Sequence, residues 1–209
     1  LFRSESVTAD QVVDVYQFAG MERPELSLLS DEFLDSIGKN GQPNLQLGLL
    51  RRLLNDQIRT LQRTNLVQSR KFSEMLTEAV KRYTNRSLTT AEIIAELVAL
   101  AKEMRDDQKR AAELGLTDAE VALYDAIIQN DSAIMEMGDE TLKTIARELV
   151  DTIRRSATID WTLKESVRAR MRSRIKRLLA KYKYPPDKQE EAVKLIIEQA
   201  EHLANGEDS

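Results

Sequence analysis

The chain has 209 residues, no Cys, 42% hydrophobic and only 5% aromatic residues, and 31 Lys and Arg against 35 Asp and Glu for a net charge of −4. This composition suits a mostly helical globular chain of one large or two small domains and is poor for a sheet protein. The lack of Cys excludes disulfides and thiolate chemistry and fits a reducing, cytoplasmic setting, and no apolar run approaches the roughly 20 residues that cross a bilayer.

No signal-peptide pattern opens the chain, and its start at Leu1 rather than Met predicts a piece of a longer protein. Thr8 and Gln11 have capping-box spacing ahead of a short helix through Val12, Val15, Tyr16 and Ala19 that Gly20 ends. Glu22-Arg23-Pro24 reads as a turn, and Ser30 as the N-cap of a helix with Phe33, Leu34 and Ile37. The run Gly38 to Asn44 is the best candidate boundary. It makes 1–44 a short helical leading segment or linker, 45–204 a helical main body and 205–209 a disordered polar tail.

In the main body, Leu45, Leu49, Leu50, Leu53, Leu54, Ile58 and Leu61 recur at i, i+3/i+4 and predict a long amphipathic helix bracketed by charges. Thr64 and Asn65 break or re-cap it before Phe72, Leu76, Ala79, Val80 and Tyr83 resume the spacing, and Asn85 to Leu88 form a turn. Thr89 with Glu92 is a capping box for a helix that buries Ile93, Leu97, Leu100, Ala101 and Met104, shows charges from Lys102 to Arg110 and ends at Gly115. Thr117 with Glu120 opens the next (Val121, Tyr124, Ile127, Ile128), and Asn130 to Ser132 interrupt it. Gly138-Asp139 precede a helix with Leu142, Ile145, Leu149, Val150 and Ile153; a last helix after Pro186 carries Val193, Ile196, Ile197, Ala200 and Leu203. The fold class that follows is an all-α, multi-helix bundle.

Trp161 to Tyr184 stands apart, with nine Lys and Arg against the single acid Glu165, a net of +8 in a chain whose remainder carries −12. Thr162 and Glu165 have capping-box spacing, Val167, Met171, Ile175, Leu178 and Tyr182 share one narrow face, and Pro185 and Pro186 stop the helix. Arg170, Arg174, Arg177 and Lys181 line one flank, while Arg168, Arg172 and Lys176 spread over the other. These cations suit an acidic protein partner or nucleic-acid phosphates. They equally suit a solvated face whose charges pair with acids in the same bundle, at about 0–1 kcal/mol per exposed pair.

Residues for chemistry are sparse. Gly38-Lys39 lacks the rest of a phosphate loop and reads as a turn. His202 has no partners at metal-ligand spacing and reads as a solvated helix residue. Asp107-Gln108-Lys109 matches the tail of a metal-dependent nuclease pattern, but residues two apart on a helix face different ways. The acid pairs Asp106-Asp107 and Glu190-Glu191 read as solvated faces, and Trp161 as an interface anchor or a staple into its own core. No catalytic or metal-binding residue is assigned.

A family resemblance goes further. The run Arg63 to Leu76, followed by Tyr83-Thr-Asn-Arg86, Leu100 to Arg105, Leu116 to Glu120 and Tyr124-Asp-Ala126, resembles the C-terminal region of the restriction (R) subunit of type I restriction-modification enzymes. Met137 to Leu142, Ile159-Asp-Trp161, Glu165 to Arg168 and Lys183-Tyr-Pro-Pro186 continue it in the same order, from about Met21 to the tail. The resemblance implies a parent that is an ATP-dependent DNA translocase and site-specific deoxyribonuclease, with a nuclease domain and two RecA-like motor lobes ahead of a C-terminal helical domain. That domain docks the motor onto a methyltransferase core of modification (M) and specificity (S) subunits and helps set the path of DNA.

The nuclease carboxylates and the Walker motifs have no counterpart here, so no catalytic residue carries over. Catalysis is not expected of this fragment, and ATP and Mg are implied only for upstream domains. Arg168, Arg170, Arg172, Arg174, Lys176, Arg177 and Lys181 are the expected partner- or DNA-binding residues. Docking onto the M and S core is the first expectation. Sequence-nonspecific guidance of duplex DNA by the basic helix over 162–183 is the second.

Overall fold

The computed structural model describes residues 43–156 and 165–206, and within them the chain forms α-helices and no strand. In order they are α1 (Pro43–Thr64), α2 (Leu66–Thr84), α3 (Thr90–Asp107), α4 (Arg110–Leu114), α5 (Asp118–Ile127), α6 (Asp131–Met137), α7 (Asp139–Ser156), α8 (Glu165–Lys181) and α9 (Gln189–Gly206). The all-α expectation holds. The helices expected before residue 43, the Gly38-Lys39 turn, Trp161 and the Thr162 cap lie outside the described residues.

Local chemistry sets the helix ends. Pro43 sits in the first turn of α1, where its missing N–H leaves no bond unmade. Asn65 caps α2 by accepting from the Gln68 N–H at 3.1 Å. Thr89 and Thr117 form the two expected capping boxes, each backbone N–H donating to the glutamate three residues on at 2.7 Å. Gly115 closes α4 in the left-handed region at φ 65°, with the Leu116 N–H on the Ala111 carbonyl at 3.0 Å.

Two ends differ from expectation. The helix opened at Thr89 does not reach Gly115: it ends at Asp107, and α4 restarts at Arg110. The break turns Arg110 inward, toward Asp125. α8 ends at Lys181, before the prolines: Lys183 takes the left-handed conformation at φ 55° and the Tyr184 N–H closes on the Leu179 carbonyl at 2.9 Å. Pro185 and Pro186 follow an end already made.

The apolar faces assemble two clusters. α1, α2 and α3 enclose Leu50, Leu54, Phe72, Ile93 and Leu97; α5, α7, α8 and α9 enclose Leu123, Ile127, Leu142, Ile145, Leu149, Ile175 and Ile196. α9 packs against α5 and α8 and also against α1, so it bridges the two. Most of the apolar residues read from the sequence are buried, but Leu45, Leu61, Val80, Tyr83, Ile128 and Leu203 are half-buried, and Leu47, Ile94, Leu123 and Leu179 are among those added.

Gly48 interrupts the exposed side of α1, and a Cβ built there meets nothing within 4 Å. Glycine inside a helix is worse than alanine by roughly 0.5–1 kcal/mol. Gly48→Ala should therefore stabilise the fold by about that amount, read as a higher urea midpoint with an unchanged slope; a lower midpoint would refute it.

Candidate functional site

α8 buries Met171, Ile175, Leu178 and Leu179 and leaves Val167 and Tyr182 half-buried, which turns its cations outward along both sides. On the side of α9, Arg168 pairs with Glu201 at 2.7 Å and Lys176 with Glu190. On the side of α7, Lys181 reaches both carboxylate oxygens of Glu148 at 2.9 Å and lies 4.8 Å from the centre of the Tyr182 ring. The Tyr182 hydroxyl and the Lys181 ammonium, both donating to Glu148, hold its carboxyl below the usual range. Three of the seven expected site residues are thus tied into the bundle.

Of the others, Arg170 and Arg172 are exposed and have no ion pair among the described residues. The Arg177 Nε donates to the Ser173 carbonyl at 3.3 Å, and its guanidinium meets no carboxylate among the described residues. Arg174 is also exposed. Arg170 and Arg177, one flank in the sequence, remain open with Arg172 from the other.

The chain beyond α8 turns back to hold α6. The Tyr184 hydroxyl donates to the Ile127 carbonyl at 2.7 Å, and burial pushes that hydroxyl up to about 12. Asp187 accepts from the Asn130 Nδ2 at 3.1 Å and the Ser132 hydroxyl at 2.9 Å, bonds that keep its carboxyl below the usual range. α6 held this way presents two adjacent exposed apolar side chains, Ile134 at 49% and Met135 at 81% exposure. Sequence reading missed this pair because nothing local says which face of so short a helix is covered.

A second feature missed from the sequence is a polar layer between the two apolar clusters. Asp125, 1% exposed, accepts from Arg110 at 2.7 and 3.1 Å, from the Asn65 Nδ2 at 2.7 Å and from the Gln68 Nε2 at 3.1 Å. Gln199 of α9, fully buried, accepts from the Leu66 N–H at 2.7 Å and donates to the Thr64 carbonyl at 2.9 Å. Beside this layer a cleft of about 400 Å³ is lined by Val67, Gln68, Arg70, Lys71, Gln129 and Leu195, among others.

Catalytic chemistry finds little here. Among the described residues no group of three or more His, Cys, Asp or Glu could hold a metal, and no helix is long and apolar enough to cross a membrane. Asp107 pairs with Arg110 at 3.0 Å and Lys109 with Asp106 at 3.2 Å, so Asp107-Gln108-Lys109 is a set of helix-end ion pairs.

Helical throughout its described length, with cations partly tied and partly open on α8, the chain is in class an α-helical bundle domain. It belongs to the family described as type I restriction enzyme HindI endonuclease subunit-like, C-terminal, whose model matches residues 3–206. It is 42% identical over 201 residues to the type I restriction enzyme HindI endonuclease subunit of Haemophilus influenzae, covering 96% of this chain and 19% of that protein. It is 37% identical over 181 residues to the putative type I restriction enzyme MjaIXP endonuclease subunit of Methanocaldococcus jannaschii, covering 85% of this chain and 17% of that protein. The chain thus spans less than a fifth of the length of these curated relatives. No solved structure matches it.

Proposed function

We propose that this domain is a non-catalytic docking module that joins the endonuclease subunit of a type I restriction enzyme to its methyltransferase core of M and S subunits. The observation that carries the reading is that α8 shows arginines with no ion pair among the described residues, Arg170, Arg172 and Arg177, while α6, held by the segment that follows α8, shows the exposed apolar side chains Ile134 and Met135. Protein interfaces combine an apolar anchor with Arg and a polar rim. On this reading ATP hydrolysis, translocation and cleavage belong to the rest of the subunit, and the domain itself needs neither ATP nor Mg. The same three arginines also favour the second reading, α8 lying on duplex phosphates.

Co-elution of the chain with the methyltransferase core on a sizing column, with and without DNA and at low and moderate salt, separates the two. Docking predicts a complex without DNA that survives moderate salt. Reversing Arg170, Arg172 and Arg177 to Glu should weaken it about tenfold or more with helicity unchanged. Retention only with DNA, lost as salt rises, would overturn docking in favour of DNA guidance.

A further inference from the structure

The outer face of α1 carries a second set of cations. Asn44, Gly48, Arg51, Arg52, Asn55, Arg59, Gln62 and Arg63 are all exposed, and at 100° per residue the four arginines and Gly48 fall within an arc of about 120°. Asp56 is the one acid among them; its contact with Arg59 is 3.8 Å long between groups 79% and 56% exposed, too loose to neutralise it. Arg51, Arg52 and Arg63 have no ion pair among the described residues. Three carboxylates on the neighbouring helices are taken: Glu103 by Lys71 at 2.7 Å, Glu198 by Arg70 at 2.8 Å, Glu96 by Arg82.

We propose that this face is a contact surface for the phosphate backbone of duplex DNA, separate from α8. Three features select that ligand. Leu45, half-buried at the edge of the arc, is its one apolar side chain, so the face lacks the exposed anchor that an interface with a protein needs. It displays no aromatic ring, so it lacks the stacking platform that single strands use. Gly48 lies in the middle of the arc, where a Cβ would meet nothing within 4 Å among the described residues, and its lack of a side chain lets a phosphate backbone lie close against the helix. From Arg51 to Arg63 the helix rises about 18 Å, along which a duplex carries on the order of ten phosphate charges. α9 packs against both α1 and α8, so the two basic faces sit on separate helices with a third in contact with each. The binding is independent of base sequence, since the face offers charge to phosphates.

Fluorescence anisotropy of the whole chain with a labelled random-sequence duplex of about 30 base pairs, titrated from about 50 to 200 mM salt, tests this. Arg51, Arg52 and Arg63 reversed together to Glu should weaken binding at least about tenfold and flatten the log–log salt slope by roughly 0.9 for each phosphate no longer neutralised. The same three changed to Lys should keep the slope, because a point charge suffices. The α8 reversal of Arg170, Arg172 and Arg177 changes net charge equally and is the matched comparison; resting on the docking reading of α8, it should affect duplex binding far less. The proposal is overturned if the unaltered chain does not bind duplex at low salt, or if the two reversals weaken binding alike. It also fails if the α1 reversal leaves duplex binding intact while abolishing co-elution with the methyltransferase core, which would make the face a protein contact. Loss of α8 docking in the co-elution experiment, with the α1 reversal still the one that weakens duplex binding, leaves this proposal standing, whereas equal weakening by both reversals overturns it, so the two readings are told apart.

Discussion

Asp125→Ala should destabilise the fold by about 3–5 kcal/mol, the cost of removing one partner from a buried, hydrogen-bonded charge pair. The carboxylate is the common acceptor for Arg110, Asn65 and Gln68, so its loss strands three sets of donors at once in a layer walled on both sides by apolar side chains. Arg110 keeps Asp107 at 3.0 Å, but Asp107 is itself a carboxyl that burial pushes upward, and the two amides donate to Asp125. Arg110→Ala should cost less, because Asn65 and Gln68 still face the remaining carboxylate. The double variant should be markedly less destabilised than the sum of the singles, a coupling of about 1 kcal/mol or more for residues in direct contact. Urea unfolding of the four proteins checks this. A cost for Asp125→Ala under about 1 kcal/mol would show that water replaces the carboxylate and that the layer is not a structural latch.

The helices were legible because their signals are local. A capping box needs only residues three apart, as at Thr89 and Glu92 or Thr117 and Glu120, and an apolar stripe such as Leu50, Leu54, Ile58 needs only a wheel. The polar layer was not legible, since Asn65 meets Asp125 across 60 residues and Leu66 meets Gln199 across 133. Nothing in the local pattern distinguishes a buried Asp125 from a solvated one. The same limit divided the basic helix: the flanks could be drawn from Arg168 to Lys181, but the acids that tie three of its cations come from α7 and α9. The break at Gln108 has no Gly or Pro to announce it; it serves the Arg110 contact with Asp125. The α1 arginines, by contrast, lie on the same wheel as the leucines of that helix, so their shared face is a local signal; that Glu103 and Glu198 on neighbouring helices are already taken is not.

Alkali should unfold this protein through two buried phenols. The Tyr184 hydroxyl is pushed up to about 12 by burial, and the Tyr124 hydroxyl to about 12 by burial and by donating to Asp139 at 2.5 Å. In the unfolded chain both titrate near about 10. A phenol whose folded value is raised binds its proton more tightly when folded. The stability it contributes is therefore complete below about pH 10 and is lost as pH climbs from about 10 through about 12. Up to roughly 3 kcal/mol per tyrosine is at stake, since each tenfold gain in proton affinity on folding is worth about 1.4 kcal/mol. Lys143, whose ammonium is raised by its bond to Asp139, acts in the same direction. Urea midpoints taken between about pH 8 and 12 should be flat at first and then fall steeply. Tyr184→Phe should start about 1 kcal/mol lower, without the bond to the Ile127 carbonyl, and then fall less steeply, because one of the two titrating groups is gone. A midpoint that stays level through about pH 11.5 would mean that the phenols ionise without opening the core. Tyr184 and Asp187 would then hold α6 by packing and by the carboxylate bonds of Asn130 and Ser132 alone.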